Sequence, residues 1–145
     1  MRLTSKGRYA VMAMADLALH GGARAVPLQD IADRQQISLS YLEQLFAQLR
    51  RAGLVQGMRG PGGGYRLARH AGDVAIAEII AAVNEPIKAT RCADGSTKGC
   101  MGGQGRCVAH DLWEELGRHI HGFLVSVSLE DVIERRIGAR AVAAE

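Results

Sequence analysis

The chain has 145 residues, a formal net charge of +3 and three cysteines. That length fits one domain able to bury about two-thirds of its unfolded surface, and 48% hydrophobic with 23% charged residues excludes disorder as the main state. Three cysteines cannot form a fully paired disulfide scaffold, and 4% aromatic residues argue against a base-stacking single-strand binder.

Arg2, Lys6 and Arg8 precede an apolar run from Tyr9 to Leu19, and Ala23-Arg24-Ala25 mimics a cleavage site. A secretory signal core would avoid a charge such as Asp16. Val11, Met14, Ala15, Ala18 and Leu19 share one helical face, so the run is predicted to be a first core helix. Thr4 or Ser5 is the expected cap. No stretch reaches the roughly 18–20 apolar residues of a membrane span, and the expected location is the cytoplasm, where thiols stay reduced.

Gly21-Gly22 stops the first helix, and Pro27 opens a short second one over Leu28 to Arg34. Gln35 to Leu39 forms a tight connection, with Gln35-Gln36 where such turns usually hold a glycine. Ser40-Tyr41-Leu42-Glu43 fits a capping box. It starts a third helix that runs to about Ala52, with Leu42, Leu45, Phe46 and Leu49 inward. Two short helices, a tight turn and small or apolar residues at Ala32, Ile37, Leu42 and Leu45 describe a helix-turn-helix.

Residues 54–59 and 65–67 read as two short strands around Gly60-Pro61-Gly62-Gly63-Gly64. A hairpin there is a wing. Its glycine loop can lay backbone against phosphates, and Arg59 at its tip can enter a minor groove. No Gly-Lys-Ser/Thr or G-x-G-x-x-G pattern makes it a nucleotide cradle. Residues 1–70 hold ten Lys+Arg against four Asp+Glu, a net +6, whereas residues 71–145 sum to −3. A basic half of this kind faces a polyanion.

Residues 73–83 read as a further helix, with Val74, Ile76, Ile79, Ile80 and Val83 apolar and Pro86 after it. From His110 a long helix carries Trp113, Leu116, Ile120, Phe123 and Val127 at 3-4-3-4 spacing, a coiled-coil seam suited to a homodimer. Residues 138–145 read as a frayed tail. The expected fold is mainly α with a small β wing. Residues 1–70 form the winged helix-turn-helix, and residues 71–137 hold a ligand loop (88–110) and the dimerisation helix.

All three cysteines lie in a glycine-rich stretch, spaced C-x7-C-x6-C and followed by C-x2-H: Cys92, Cys100, Cys107 and His110. Lys88, Arg91, Lys98 and Arg106 against Asp94 leave residues 88–107 at +3, which favours thiolates. Zinc takes such a Cys3His set tetrahedrally, and an iron–sulfur cluster fits it as well. Spacing alone does not separate them. His20, His70, His119 and His121 have no cysteine neighbours and read as surface or packing residues. No Ser-His-Asp arrangement or other catalytic constellation stands out, so an enzyme is not expected.

Met1 to Val11, the stretch Ile37-Ser38-Leu39-Ser40-Tyr41-Leu42-Glu43-Gln44-Leu45-Phe46, Arg59 to Tyr65, Ala89-Thr90-Arg91-Cys92 and the Cys107-x2-His110 step resemble the IscR-type regulators. These are iron–sulfur-cluster-sensing transcription regulators of bacteria. The resemblance spans nearly the whole chain. It implies a homodimeric winged-helix protein that binds double-stranded DNA, represses genes of cluster assembly and receives its cluster from assembly proteins. By position it implies a 2Fe–2S cluster on Cys92, Cys100, Cys107 and His110. Ser38, Ser40, Tyr41, Glu43 and Gln44 match the base-reading end of the third helix, and Arg59, with Gly60, Pro61 and Gly62, matches the wing. Related regulators sense nitric oxide or iron through a 4Fe–4S cluster on three cysteines, and a zinc-stabilised nucleic-acid-binding module is the alternative from another class.

Overall fold

The computed structural model describes residues 4–87, 89, 90, 92, 99–103 and 105–138. Helix α1 spans Ser5–His20 and is the hub of the core. Its buried side chains are Ala10, Ala13, Met14, Asp16 and Leu17. The small alanines let neighbouring helices approach closely, while Met14 and Leu17 fill the space between them. This face is rotated from the expected one: Val11, Ala15 and Ala18 lie at its edge, and Leu19 is 61% exposed. Thr4 stands at the N-cap position, but its side chain bonds no helix N–H. Its N–H and hydroxyl donate instead to Glu85 Oε1.

Helices α2 (Leu28–Gln35) and α3 (Leu39–Arg51) form the helix-turn-helix. Gln36 takes the left-handed conformation, φ 55° and ψ 45°, and its N–H bonds the Ala32 carbonyl. The turn therefore has the geometry a glycine would supply, reached without one. The cap of α3 is Ser38, whose hydroxyl accepts from the Tyr41 N–H at 3.2 Å. This corrects the capping box expected at Ser40 and Glu43: Ser40 lies inside the first turn, so neither side chain is used as a cap. Leu42, Leu45, Phe46 and Leu49 are buried as the spacing predicts.

Strands β1 (Val55–Met58) and β2 (Gly64–Leu67) pair antiparallel, with Val55 opposite Leu67 and Met58 opposite Gly64. Val26 adds a bridge to Tyr65, with N–H···O distances of 2.8 and 2.9 Å. Gly64, at φ 151°, lies so close to the Val26 carbonyl that a Cβ would collide with it. The root of the wing is thus pinned to the segment before α2, and Phe46 packs on Tyr65 with ring centroids 4.9 Å apart.

The helix expected over 73–83 is divided. A 3-10 turn covers Ala71–Asp73, Val74 and Ala75 are extended, and α4 spans Ile76–Ala82. The extended pair is held by the far end of the chain: Ile76 N–H bonds the Val127 carbonyl at 2.9 Å and Leu129 N–H bonds the Val74 carbonyl at 2.8 Å. Tertiary pairing overrides helix propensity there. Helix α5 covers His110–Ser126 and packs on α4; α6 covers Leu129–Ile133 and packs on α1. Val127 is extended and buried in the core, so it is not part of the α5 seam. Among the described residues, no helix is long and apolar enough to cross a membrane. The expected tail from Ala139 onward lies outside the described residues.

Candidate metal centre and nucleic-acid interface

His110 is the first residue of α5 and the only residue of that helix that is buried, at 6% exposure. Helix α5 thereby holds one imidazole at its N-terminus against the loop. His110 Nδ1 lies 3.5 Å from Cys92 Sγ and 3.5 Å from Cys100 Sγ, and the three ligand atoms lie within 4.8 Å of one another. Cys107 stands beside Cys100 rather than inside that mutual group. Its N–H donates to Cys100 Sγ at 2.9 Å, and its thiol bonds the same sulfur. No side chain caps α5, and His110 lies within it, so a capping role for His110 is not what this geometry serves.

The Cys107 N–H, its thiol and the His110 ring lower the Cys100 thiol to about 7, against a smaller opposing effect of burial. The Cys107 thiol moves up, because it donates to Cys100 and is itself partly desolvated. A thiolate at Cys100 near neutral pH is the form that binds a soft metal. The donor set of sulfur and imidazole fits iron or zinc and does not fit calcium or magnesium, which take oxygen ligands. His110 also lies within 4.8 Å of a carboxylate oxygen of both Asp111 and Glu114, two exposed acids that the sequence reading did not single out. Of the expected loop charges, Lys88, Arg91, Asp94 and Lys98 lie outside the described residues; Arg106 is exposed, 4.0 Å from Asp111. His70 caps the 3-10 turn by accepting from the Gly72 N–H, and His119 lies 3.0 Å from Glu115.

The second candidate surface is on α3 and the wing. Ser38, Ser40, Glu43 and Gln44 are exposed at the start of α3. Tyr41 is half-buried, edge-on to Tyr9 of α1 with centroids 6.0 Å apart. Arg59, Gly60, Pro61 and Gly62 are exposed at the wing turn, where Gly60 and Gly62 have φ of 94° and 73°. Arg59 has no ion-pair partner among the described residues. Exposed polar side chains at the N-terminal end of a second helix, beside an exposed arginine on a wing, are the arrangement in which a winged helix meets a DNA groove.

Residues 3–135 match the Rrf2 family, described as iron-dependent transcriptional regulators. The chain belongs to the Rrf2 family. It is 57% identical over 136 residues to the HTH-type transcriptional regulator IscR of Xenorhabdus nematophila, covering 94% of this chain and 81% of that one. The corresponding regulator of Photorhabdus laumondii is 56% identical over the same coverage. Among solved structures, T. potens IscR is 36% identical with a TM-score of 0.74, covering 94% of this chain and 88% of that one. CymR, the global cysteine regulator of B. subtilis, is 30% identical with a TM-score of 0.77, covering 93% and 98%. The Rrf2 assignment makes this chain a DNA-binding, iron-dependent transcription regulator and not an enzyme, and the fold is the winged helix of its structural neighbours.

Proposed function

We propose that this Rrf2-family regulator holds a 2Fe–2S cluster on Cys92, Cys100, Cys107 and His110, and binds double-stranded DNA as a cytoplasmic homodimer that represses genes of cluster assembly. The observation that carries the reading is the convergence of Cys92, Cys100 and His110 within 4.8 Å, with Cys107 bonded to Cys100. Cluster-assembly proteins are the donors this reading calls for. A bound cluster would supply a labile, redox-active link whose presence or loss the protein can report.

The chain's own residues do the rest. Cys107 and His110 flank the start of α5, so the ligand loop is continuous with the helix whose exposed face carries Leu112, Trp113 and Phe123. That apolar face is the proposed contact with a second copy, and a two-fold dimer presents two α3 helices to two half-sites. Gln44 suits bidentate pairing to an adenine, and Glu43, which caps nothing, is free to accept from a cytosine amine. Arg59 serves the minor groove, while Gly60, Pro61 and Gly62 let the wing backbone approach phosphates. Ser38, Ser40 and Tyr41 complete the reading end. Presence or loss of the cluster can then bias DNA binding only through a difference in DNA affinity between the cluster-bound and cluster-free forms.

Anaerobic purification with visible absorption, iron and acid-labile sulfide analysis tests this reading. The expected result is a coloured protein with two irons and two sulfides per chain. A colourless protein holding stoichiometric zinc would overturn it, and four irons per chain would replace the 2Fe–2S assignment with a 4Fe–4S one.

A further inference from the structure

Asp16 interrupts the apolar run of the first helix, and neither the metal centre nor the DNA face uses it. It is 1% exposed. Its carboxylate accepts from Arg34 Nη2 at 2.7 Å, from Arg34 Nε at 3.0 Å, and from Gln35 Nε2 at 2.8 Å. Arg34 and Gln35 are the last two residues of α2, and Gln36 then makes the left-handed turn into α3. The grip falls at the point where the chain changes direction, and Ser38, Ser40 and Tyr41 follow directly.

A carboxylate buried on a core helix is costly unless donors satisfy it. Burial pushes the Asp16 carboxyl up, and the Arg34 and Gln35 hydrogen bonds with the Arg34 charge outweigh that, so it lies below its ordinary value and stays ionised. An apolar side chain would fill the same space without this cost. What the carboxylate adds is direction: the two-point contact with a planar guanidinium fixes orientation as well as distance. Further along the same surface of α1, Tyr9 meets Tyr41 edge-on, so α1 touches the helix-turn-helix on both sides of the turn.

We propose that Asp16 is a positioning residue for sequence readout: by clamping Arg34 and Gln35 at the end of α2, it sets the angle at which α3 presents Ser40, Tyr41 and Gln44 to the bases. The inference rests on α3 being the base-reading helix. Bidentate base contacts tolerate displacements of only about 0.5 Å or 10–20°, whereas contacts to the phosphate chain depend mainly on charge. A loosened clamp therefore costs affinity for the preferred site and leaves affinity for arbitrary DNA in place. Partial unfolding behaves differently. It lowers both affinities by the same factor, so the ratio of the two separates positioning from stability.

The test uses the full chain. Wild type selects a preferred duplex from a random-sequence pool, and Kd is measured for that duplex and for a scrambled duplex of equal length and composition. Asp16→Asn is expected to lower the ratio of affinities about tenfold, the scale of one lost charge-assisted contact geometry, with the salt dependence on scrambled DNA unchanged. Gln35→Ala, which keeps the ion pair, is expected to lower it less. An unchanged ratio in Asp16→Asn overturns the proposal. If Asp16→Asn does not fold, Arg34→Lys takes its place, because it keeps the charge and breaks the two-point contact; a lowered ratio supports the proposal and an unchanged one overturns it. If wild type itself selects no preferred duplex, base reading by α3 fails, and the clamp inference falls with it.

Discussion

Replacing Gln36 by glycine should stabilise the protein while leaving its DNA affinity alone. Gln36 sits at φ 55° and ψ 45°, with an exposed side chain, and its N–H already closes α2 on the Ala32 carbonyl. The left-handed region costs a residue with a Cβ roughly 1–2 kcal/mol. Glycine escapes that cost but gives the unfolded chain more freedom, which returns about 0.5–1 kcal/mol. The expected net gain is about 0.5–1 kcal/mol, or a Tm increase of roughly 1–4 °C for a domain of this size. Urea unfolding of wild type, Gln36→Gly and Gln36→Val, compared at equal m-values, measures it. Valine, β-branched and poorly suited to positive φ, should lie on the other side of wild type by about 1 kcal/mol or more. If glycine destabilises the protein, or if glycine and valine behave alike, the turn is not left-handed at Gln36 and the account of the helix-turn-helix without a glycine is wrong.

In metal-free protein, Cys100 should alkylate at lower pH than Cys107, with a midpoint near 7; mass-spectrometric mapping of iodoacetamide labelling against pH checks the order of the pair, and Cys107 reacting first would contradict the donor directions described for it. His110→Ala should speed loss of the bound cofactor and His110→Cys should retain it, followed by absorbance decay; equal decay in both variants and wild type removes His110 from the ligand set. Arg59→Ala should weaken binding more at sites with A·T-rich flanks than at others, because narrow minor grooves attract arginine; a uniform loss across flanks, read by fluorescence anisotropy, would leave Arg59 a phosphate contact only. Trp113→Ala, which removes a side chain 42% exposed on α5, should raise the dimer dissociation constant by about tenfold or more, the scale of an aromatic interface anchor; sedimentation equilibrium unchanged from wild type would place the dimer contact elsewhere.

Periodicity alone was enough to place α2, α3 and the two wing strands within a residue or two, because each is a short amphipathic unit bounded by its own Gly or Pro. The clustering of candidate ligands was also legible, since three cysteines and a histidine share one glycine-rich stretch, and the ligand atoms of Cys92, Cys100 and His110 lie within 4.8 Å of one another. Three features depended on the path and packing of the chain rather than on local pattern. The cap of α3 is Ser38 rather than Ser40: both hydroxyls suit a cap, and only the path of the chain out of the Gln36 turn decides which meets an N–H. The helix expected over 73–83 breaks at Val74 and Ala75 because Leu129 and Val127 bond the backbone of Val74 and Ile76 on either side, from more than fifty residues on. Asp16, read in sequence only as a charge that a signal core would avoid, acquires its role from Arg34 and Gln35 on the next helix. Local patterns record which face of an element is apolar. Which polar group meets which across the core is settled by how the elements pack, and the bonds from Arg34 and Gln35 to Asp16 are set at that level.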